Sequence, residues 1–445
     1  MKQGAKVANT GRATDAPTTV NTVANQVFRL ALFDHLPRKQ VAKDPDSVEA
    51  DRVLHLATIH LGLLFNKGLV QADDDRAEAT GRAFLQIIQD YKTPPNKVLR
   101  EDLDRYISKQ VQYWVENRQI SKSMGNVIKF VRSTISKISP ELSEADAKAS
   151  LLSDIRSFID DKIVFARESV ARYVTQTIND DDVILTFGSS PLIRQVLLYA
   201  SHQRKFRLIV VDTRPLNEGL QTLAALSDVI HCVYSPLSGA PVALKEVNKV
   251  ILGASCLLSN GSMLAPAGTA MVAALAKQRQ IPVIVASESY KFSEKVQLDS
   301  IVFNELGHAS EIVSVSKPGG ASTTNDQEIY STTFQASTTT TYSMAPQRQA
   351  GYRGSADKVS LKSISDGRAD ANNEDQIDHT EFIPVPQQQK QVNFSTIKLP
   401  FEVVNLRYDL TPITNISVIA TETGLIPPTS IPVLIRENQN DHKHN

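Results

Sequence analysis

Val183-Ile184-Leu185-Thr186-Phe187-Gly188-Ser189-Ser190-Pro191 decides how this chain is read. An apolar, β-branched run closes on a small polar turn, and a helical pattern opens at the proline. The same punctuation recurs as far as Leu306. Residues 206–212, 229–234, 249–252 and 281–286 are further apolar runs, and the stretches 191–203, 217–226, 242–247 and 267–278 between them carry helical spacing. Such runs read as strands buried on both faces. Strand–helix alternation implies right-handed crossovers and a parallel sheet. In an open parallel sheet the carboxyl ends of the strands line the ligand crevice. Three polar clusters would therefore face one place: Phe187-Gly188-Ser189-Ser190, Asp212-Thr213-Arg214-Pro215 with Glu218-Gly219, and Asn260-Gly261-Ser262.

Working outward, residues 47–178 are dominated by helical periodicity. Asp46 and Ser47 offer N-cap oxygens, and Val53, Leu56, Ile59, His60 and Leu63 follow at helix spacing until Gly68. A second helix is predicted over 72–91 with Ala83, Phe84, Ile87 and Ile88 inward, stopped by Thr93-Pro94-Pro95-Asn96. Further helices are predicted over 99–118 and 124–138, and beyond Pro140 a long one over 145–178. Residues 1–46 read as a flexible arm with one short helical pattern at 23–33. The segment 307–395 is rich in Ser, Thr, Gln, Asn and Asp, includes Ser337-Thr338-Thr339-Thr340-Thr341, and is expected to be a disordered insertion. Apolar runs return at 401–405, 418–422 and 431–436 and are expected to complete the sheet. The fold class is α/β: an all-helical N-terminal domain (47–178), then a Rossmann-like parallel-sheet domain (179–306 with 396–437) interrupted by that insertion.

Length and composition bound the function. The 445 residues suggest two or three domains. Lys+Arg and Asp+Glu both number 48, so no global field draws the chain to nucleic acid or to a membrane. Lys122, Lys129, Arg132 and Lys137 near one helical face read as solvation of that face. The longest apolar stretch, 250–276, is broken by Gly253, Asn260, Gly261 and Pro266 and cannot span a bilayer as one helix. No apolar signal segment opens the chain, so a soluble, cytosolic protein is expected. Cys232 and Cys256, each in an apolar run, read as buried free thiols; neither has the spacing or His neighbours of a metal site.

The crevice residues each have a chemical and a plain reading. Gly188 and Ser189 would let an anion approach backbone N–H groups at a helix start, or simply form a tight strand–helix turn. The loop is neither a Gly-rich dinucleotide fingerprint nor a P-loop. Asp212 would accept ribose hydroxyls and Arg214 would hold a phosphate, or Arg214 would brace the loop against Asp212 or Glu218, the reading favoured locally. Asn260 and Ser262 follow the 249–252 run, and Ser262 lacks an activating His. His202 sits on a helix pattern, and His231, inside a strand pattern, reads as a core residue. No nucleophile–base–orienter set can be assembled. Tyr290 and Phe292 around Lys291 would form an interface patch or cap the sheet.

The 184–190 run, Val211-Asp212-Thr213-Arg214-Pro215-Leu216-Asn217-Glu218-Gly219, Leu252-Gly253-Ala254 through Asn260-Gly261-Ser262, and Glu288-Ser289-Tyr290-Lys291-Phe292 together resemble the family of eukaryotic translation initiation factor 2B regulatory subunits and their metabolic relatives, the methylthioribose-1-phosphate and ribose-1,5-bisphosphate isomerases. The helical stretches Gln86-Ile87-Ile88-Gln89-Asp90-Tyr91 and Asn126-Val127-Ile128-Lys129-Phe130, with Leu406-Arg407-Tyr408-Asp409-Leu410-Thr411-Pro412 near the end, are similar to the delta branch of that family. The resemblance covers about 50–306 and 400–436; the 307–395 insertion departs from it.

This resemblance implies a non-catalytic scaffold and sensor without cofactor or metal. Its members join alpha, beta, gamma, delta and epsilon subunits in a two-fold decamer that exchanges GDP for GTP on initiation factor 2. The exchange module lies on epsilon, and the regulatory part senses phosphorylation of the factor's alpha subunit. Carried onto this chain, the face for initiation factor 2 alpha would include Arg100, Glu101, Asp161 and Phe165, and the subunit interface Phe292, Val404 and Leu406. The isomerases carry a catalytic Cys in the first loop and a catalytic Asp after the Asn-Gly pair; Gly188 and Ser262 stand there. A sugar-phosphate isomerase, or a sugar-phosphate or nucleotide sensor anchored by Arg214, are the rival readings of a degenerate pocket formed by Gly188, Ser189, Asp212, Arg214, Asn260 and Ser262.

Overall fold

The computed structural model describes residues 31–36, 54–139, 141–308, 311–312 and 403–444. The expected arm, apart from 31–36, the helix start at 46–47, and nearly all of the 307–395 insertion lie outside the described residues. Helix α1 (Leu56–Asn66) starts where the ring nitrogen Nδ1 of His55 accepts the Ala57 N–H at 3.1 Å. Thr58, Leu61 and Phe65 turn inward, while Leu56 and His60 are exposed. Two of the residues read at helix spacing, Leu56 and His60, thus lie on the solvent side. Leu56, Ile59, Leu61, Leu63, Leu64 and Phe65 make the helix apolar almost all round, so its pattern does not set the phase. Helix α2 (Asp73–Asp90) carries Asp73, Asp74 and Asp75 in its first turn, matching the helix dipole. Helices α3 (Leu99–Asn117) and α4 (Lys122–Ser136) follow as read, α5 (Glu144–Ile159) comes next, and Ser121 and Ser143 cap α4 and α5 by accepting the N–H groups of Met124 and Asp146.

Phe84, Ile87, Ile88, Leu103, Ile107 and Trp114 form the helical core. Trp114 meets Phe84 edge-on at 5.2 Å and donates its indole N–H to Thr58 O at 3.0 Å, so its polar atom is satisfied inside that core. The long helix predicted over 145–178 runs instead as α5, a π-helical turn (Asp160–Phe165) and α6 (Ala166–Thr175). A π-turn is a local distortion that places side chains off the regular helical face.

The sheet has seven strands in the order β11-β10-β7-β4-β1-β2-β3. Strands β1 (Val183–Phe187), β2 (Arg207–Asp212), β3 (His231–Pro236), β4 (Lys249–Gly253), β7 (Val283–Ala286) and β10 (Val418–Thr421) are parallel; β11 (Gly424–Ile426) returns antiparallel at the edge. Helices α7 (Pro191–Ser201), α8 (Gly219–Leu226), α9 (Ala240–Ala243) and α10 (Thr269–Gln278) are the crossovers. Alternate strand residues feed two cores: Leu185, Val211, Leu252 and Val285 on one face, and Ile184, Leu208, Ile251 and Ile284 on the other, where Val170 and Val174 of α6 and Leu192 and Val196 of α7 cover them.

Three expectations about the sheet are corrected. Strand β3 is not buried on both faces: it is the edge, His231 is exposed, and Cys232 is half-buried. Both cysteines are free, and burial pushes the Cys256 thiol up to about 12. A second sheet, β8-β5-β6-β9, is built from β5 (Cys256–Leu258) and β6 (Met263–Pro266), both hidden inside the broken apolar stretch 250–276, with β8 (Phe292–Ser293) and β9 (Tyr408–Thr411) from farther along the chain. The run 431–436 belongs to helix α11 (Ile431–His444), with Ile431 and Ile435 inward at a spacing of one helical turn.

Candidate functional site

Strands β1 and β4 are neighbours whose connections leave in opposite directions, which puts the topological switch point between them. Gly188 follows β1 at φ +61°, donating its N–H to Val211 O at 2.8 Å and accepting Thr222 Oγ1 at 2.9 Å. That left-handed backbone suits glycine. A thiol-bearing residue here, as the isomerase resemblance would want, has open space but a strained main chain. Ser190 caps α7, and Gly253 at the end of β4 packs so tightly that a Cβ would sit 2.8 Å from Ser190 Oγ.

Over this point lies a cleft of about 60 Å³ lined by Gln71–Asp74 at the start of α2, Arg118, Ser189–Pro191, Glu218, 253–255, Arg407 and Tyr408. It has room for a few waters; small-molecule sites usually run to several hundred Å³. Its cations already have partners from the chain. Arg118 Nε donates to Glu305 at 2.7 Å, Arg407 donates to Glu311 at 2.7 Å, and the fully buried Arg76 behind them reaches Asp73 at 3.4 Å and Gln119 O at 2.5 Å. Tyr408 donates its hydroxyl to Asp73 at 3.0 Å. Burial pushes the Glu218 carboxyl up to about 7, with Arg407 opposing and Asp212 adding to the shift. Arg407 keeps Nε and Nη1 buried with no hydrogen-bond partner among the described residues.

Beside the cleft a buried ionic chain ties the helices to the sheet. Lys291, with no solvent exposure, sits 2.5 Å from Asp74 of α2 and 2.6 Å from Glu288 after β7. Arg167 of α6 joins Glu288 at 3.3 Å and Glu78 at 3.2 Å. Asn126 donates to Tyr290 O and Phe292 O at 2.7 and 2.9 Å. The 288–292 segment is thus internal and presents no patch.

The residues singled out from sequence divide clearly. Ser189 lines the cleft and accepts from Arg194. Asp212 is buried, accepts the Tyr234 hydroxyl at 2.9 Å and the Thr213 N–H at 2.8 Å, and abuts Gly219, so it caps α8 instead of facing a ligand. Arg214 is exposed, lies off the cleft and makes no ion pair among the described residues, which corrects both its anchor and its brace readings. Asn260 and Ser262 form the tip of the β5–β6 hairpin, where Asn260 donates to Gln297 O at 2.9 Å; they are not at the end of β4. Phe292 is buried in the chain's own core, which corrects its place on an interface; Val404 and Leu406 are half-buried, and Leu406 bridges Leu306.

Arg100 and Glu101 are exposed in the first turn of α3, and Asp161 and Phe165 are exposed on the π-turn, Phe165 by 55%. The π-turn continues from Ile159, which packs on Gly81, whereas Tyr91 donates to Asp102 in the α3 first turn. These two anchor points are ten residues apart on α2, about 15 Å along its axis. The two pairs are therefore not one cluster. Arg118, Arg407 and Tyr408 were missed: nothing in their local sequence marks side chains that meet only across the fold. The run Asp73-Asp74-Asp75 was the one available signal. Among the described residues no group of His, Cys, Asp or Glu could hold a metal, and no helix is long and apolar enough to cross a membrane.

With this geometry established, similarity to known proteins can be read. A family model described as Initiation factor 2 subunit family matches residues 69–428. The translation initiation factor eIF2B subunit delta of Dictyostelium discoideum is 33% identical over 91% of this chain and 56% of its own length. The same subunit of Schizosaccharomyces pombe is 30% identical over 94% of this chain and 76% of its own. The chain thus spans little more than half of the first relative. In a crystal structure of the tetrameric eIF2B-beta2-delta2 complex from Chaetomium thermophilum, one chain superposes with a TM-score of 0.58 at 30% identity, covering 62% of this chain and 88% of that one.

Proposed function

We propose that this chain, which belongs to the Initiation factor 2 subunit family, is the delta-type regulatory subunit of a translation initiation factor 2B assembly. In this reading it works with alpha-, beta-, gamma- and epsilon-type subunits in the cytosol, contributes no catalytic group, and responds to phosphorylation of the alpha subunit of initiation factor 2. The observation that carries the reading is similarity to delta subunits along 91% and 94% of the chain, helical part included. The site chemistry supports it: among the described residues no serine of the cleft is hydrogen-bonded to a base, since Ser189 accepts from Arg194 and Ser190 caps α7, and a protein that opens another protein's nucleotide site needs interface area instead.

The initiation factor 2 alpha face is assigned to Asp161 and Phe165 on the π-turn, with Arg100 and Glu101 as a separate outlying contact. An exposed aromatic on a distorted helical turn is a suitable anchor. The test is GDP release from initiation factor 2 by the reconstituted assembly, with and without phosphorylated alpha subunit. Asp161→Lys and Phe165→Ala are expected to spare basal exchange and to reduce the inhibition several-fold; full inhibition by both variants sinks the assignment.

A second reading, a sugar-phosphate or nucleotide sensor, is favoured by one observation, the unpartnered Arg407 nitrogens. The anchor would then be Arg407 in place of Arg214. Calorimetry with ribose-1,5-bisphosphate, methylthioribose-1-phosphate and nucleotides decides it: binding lost in Arg407→Ala but kept in Arg214→Ala supports the sensor, and no heat with any of them removes it. Turnover of either sugar phosphate would instead restore the isomerase reading.

A further inference from the structure

Lys122, the first residue of α4, and Lys295, in the loop after β8, converge on one side chain. Their ammonium groups lie 5.7 and 5.8 Å from the centroid of the Phe303 ring. Burial and the neighbouring Lys295 charge together push the Lys122 amine down. Neither lysine has an acidic partner among the described residues. The nearby acids are committed elsewhere: Glu294 pairs with Lys129 at 3.2 Å, and Asp299 accepts the Ile301 and Val302 N–H groups at 2.8 and 2.9 Å. Around the pair the surface is apolar and open, with Phe303 exposed by 53% and Val296 and Val302 also exposed.

In a chain whose charges balance, 48 against 48, two cations sharing one exposed ring without a counter-charge are unusual. Cation–π attraction holds each ammonium near the ring, and mutual repulsion opposes it. A free anion on so open a surface would be weakly held and screened by salt. A polypeptide carboxylate set among apolar side chains answers both needs, neutralising the pair and covering Phe303, Val296 and Val302.

We infer that Lys122, Lys295 and Phe303 form a docking point for an acidic, partly apolar stretch of the beta-type subunit. This rests on the assembly proposed above, and beta is chosen because the matched crystal complex contains beta and delta subunits alone.

The test uses the full chain with a beta-type subunit, association being followed by analytical ultracentrifugation at low and moderate salt. Lys122→Glu with Lys295→Glu is expected to weaken association about tenfold or more, and Lys122→Gln with Lys295→Gln to weaken it less while flattening its salt dependence. The Gln-substituted chain alone keeps or raises its Tm, because the repulsion between the two ammonium groups is gone. Unchanged association of the charge-reversed variant, or an unchanged salt dependence, overturns the inference while leaving the assembly reading intact. Failure of the folded wild-type chain to associate with beta at all overturns that reading and this inference with it.

Discussion

Replacing Lys291 by methionine tests whether the helices and the sheet act as one body. The ammonium is wholly buried, 2.5 Å from Asp74 and 2.6 Å from Glu288. Methionine keeps the stem's volume, so little of the loss comes from packing. Glu288 retains Arg167 at 3.3 Å, but Asp74 loses its one ion-pair partner among the described residues. Stranding a buried carboxylate costs about 3–5 kcal/mol, a large part of a typical folding stability. Equilibrium urea unfolding followed by circular dichroism reads the cost at pH 7.5. Removing both partners in Asp74→Asn with Lys291→Met should be cheaper than the sum of the single changes, with a coupling of about 1–3 kcal/mol. Burial already raises the Glu288 carboxyl, and losing the lysine removes the charge that opposes that rise, so Glu288 neutralises more easily. The Lys291→Met defect should accordingly shrink as pH falls from 7.5 to 5. A wild-type urea midpoint for Lys291→Met, or strict additivity in the double variant, would refute the idea that this ion chain locks the layers together.

Gly219→Ala should destabilise by about 1–3 kcal/mol in the same assay, because its methyl would lie 2.8 Å from the Asp212 carboxyl, against a rigid cap. Folding raises the Glu218 carboxyl to about 7 from 4.5, so its contribution is fully present below about 4.5 and is lost as pH rises through 7. Tm measured from pH 4.5 to 8 should show this decline in wild type and lack it in Glu218→Gln. Arg167→Ala, in the assembled complex, should keep basal exchange and lower the ratio between inhibited and uninhibited GDP release, since Arg167 follows Phe165 by two residues and grips Glu288.

The sequence was legible where one element meets one environment. The runs at 183–187 and 249–252 emerged as strands because central parallel strands are apolar on both faces. The same rule misplaced His231 and Cys232, since an edge strand of valine and tyrosine is as apolar in sequence as a central one while half of it faces solvent. The β5–β6 hairpin was lost because strands of three and four residues are too short to show a period. That loss placed Asn260 and Ser262 at the end of β4 instead of at the hairpin tip. Ser189 was found because it follows a strand directly; Arg118 and Arg407 were not, because a guanidinium's destination across a fold leaves no local trace.

The cleft's charges explain how a crevice built for ligands can serve an assembly instead. Arg118 and Arg407, which would grip a phosphate, are engaged by Glu305 and Glu311 from the segment following the second sheet's β8. Asp73 at the α2 N-terminus, where an anion would bind, instead accepts the Tyr408 hydroxyl. Two of these contacts, Arg118 with Glu305 and Tyr408 with Asp73, join the helical part to the α/β part, and the cleft beside them has room for only a few waters. The groups that ligand chemistry would have used have become struts. The π-turn at Asp160–Phe165 runs straight into α6, whose Val170 and Val174 pack on the sheet and whose Arg167 holds Glu288. Under the proposed assignment, a partner pressing on Phe165 pushes against a braced sheet instead of a soft bundle, which is the mechanical condition a protein that reports one surface's occupancy to another must meet.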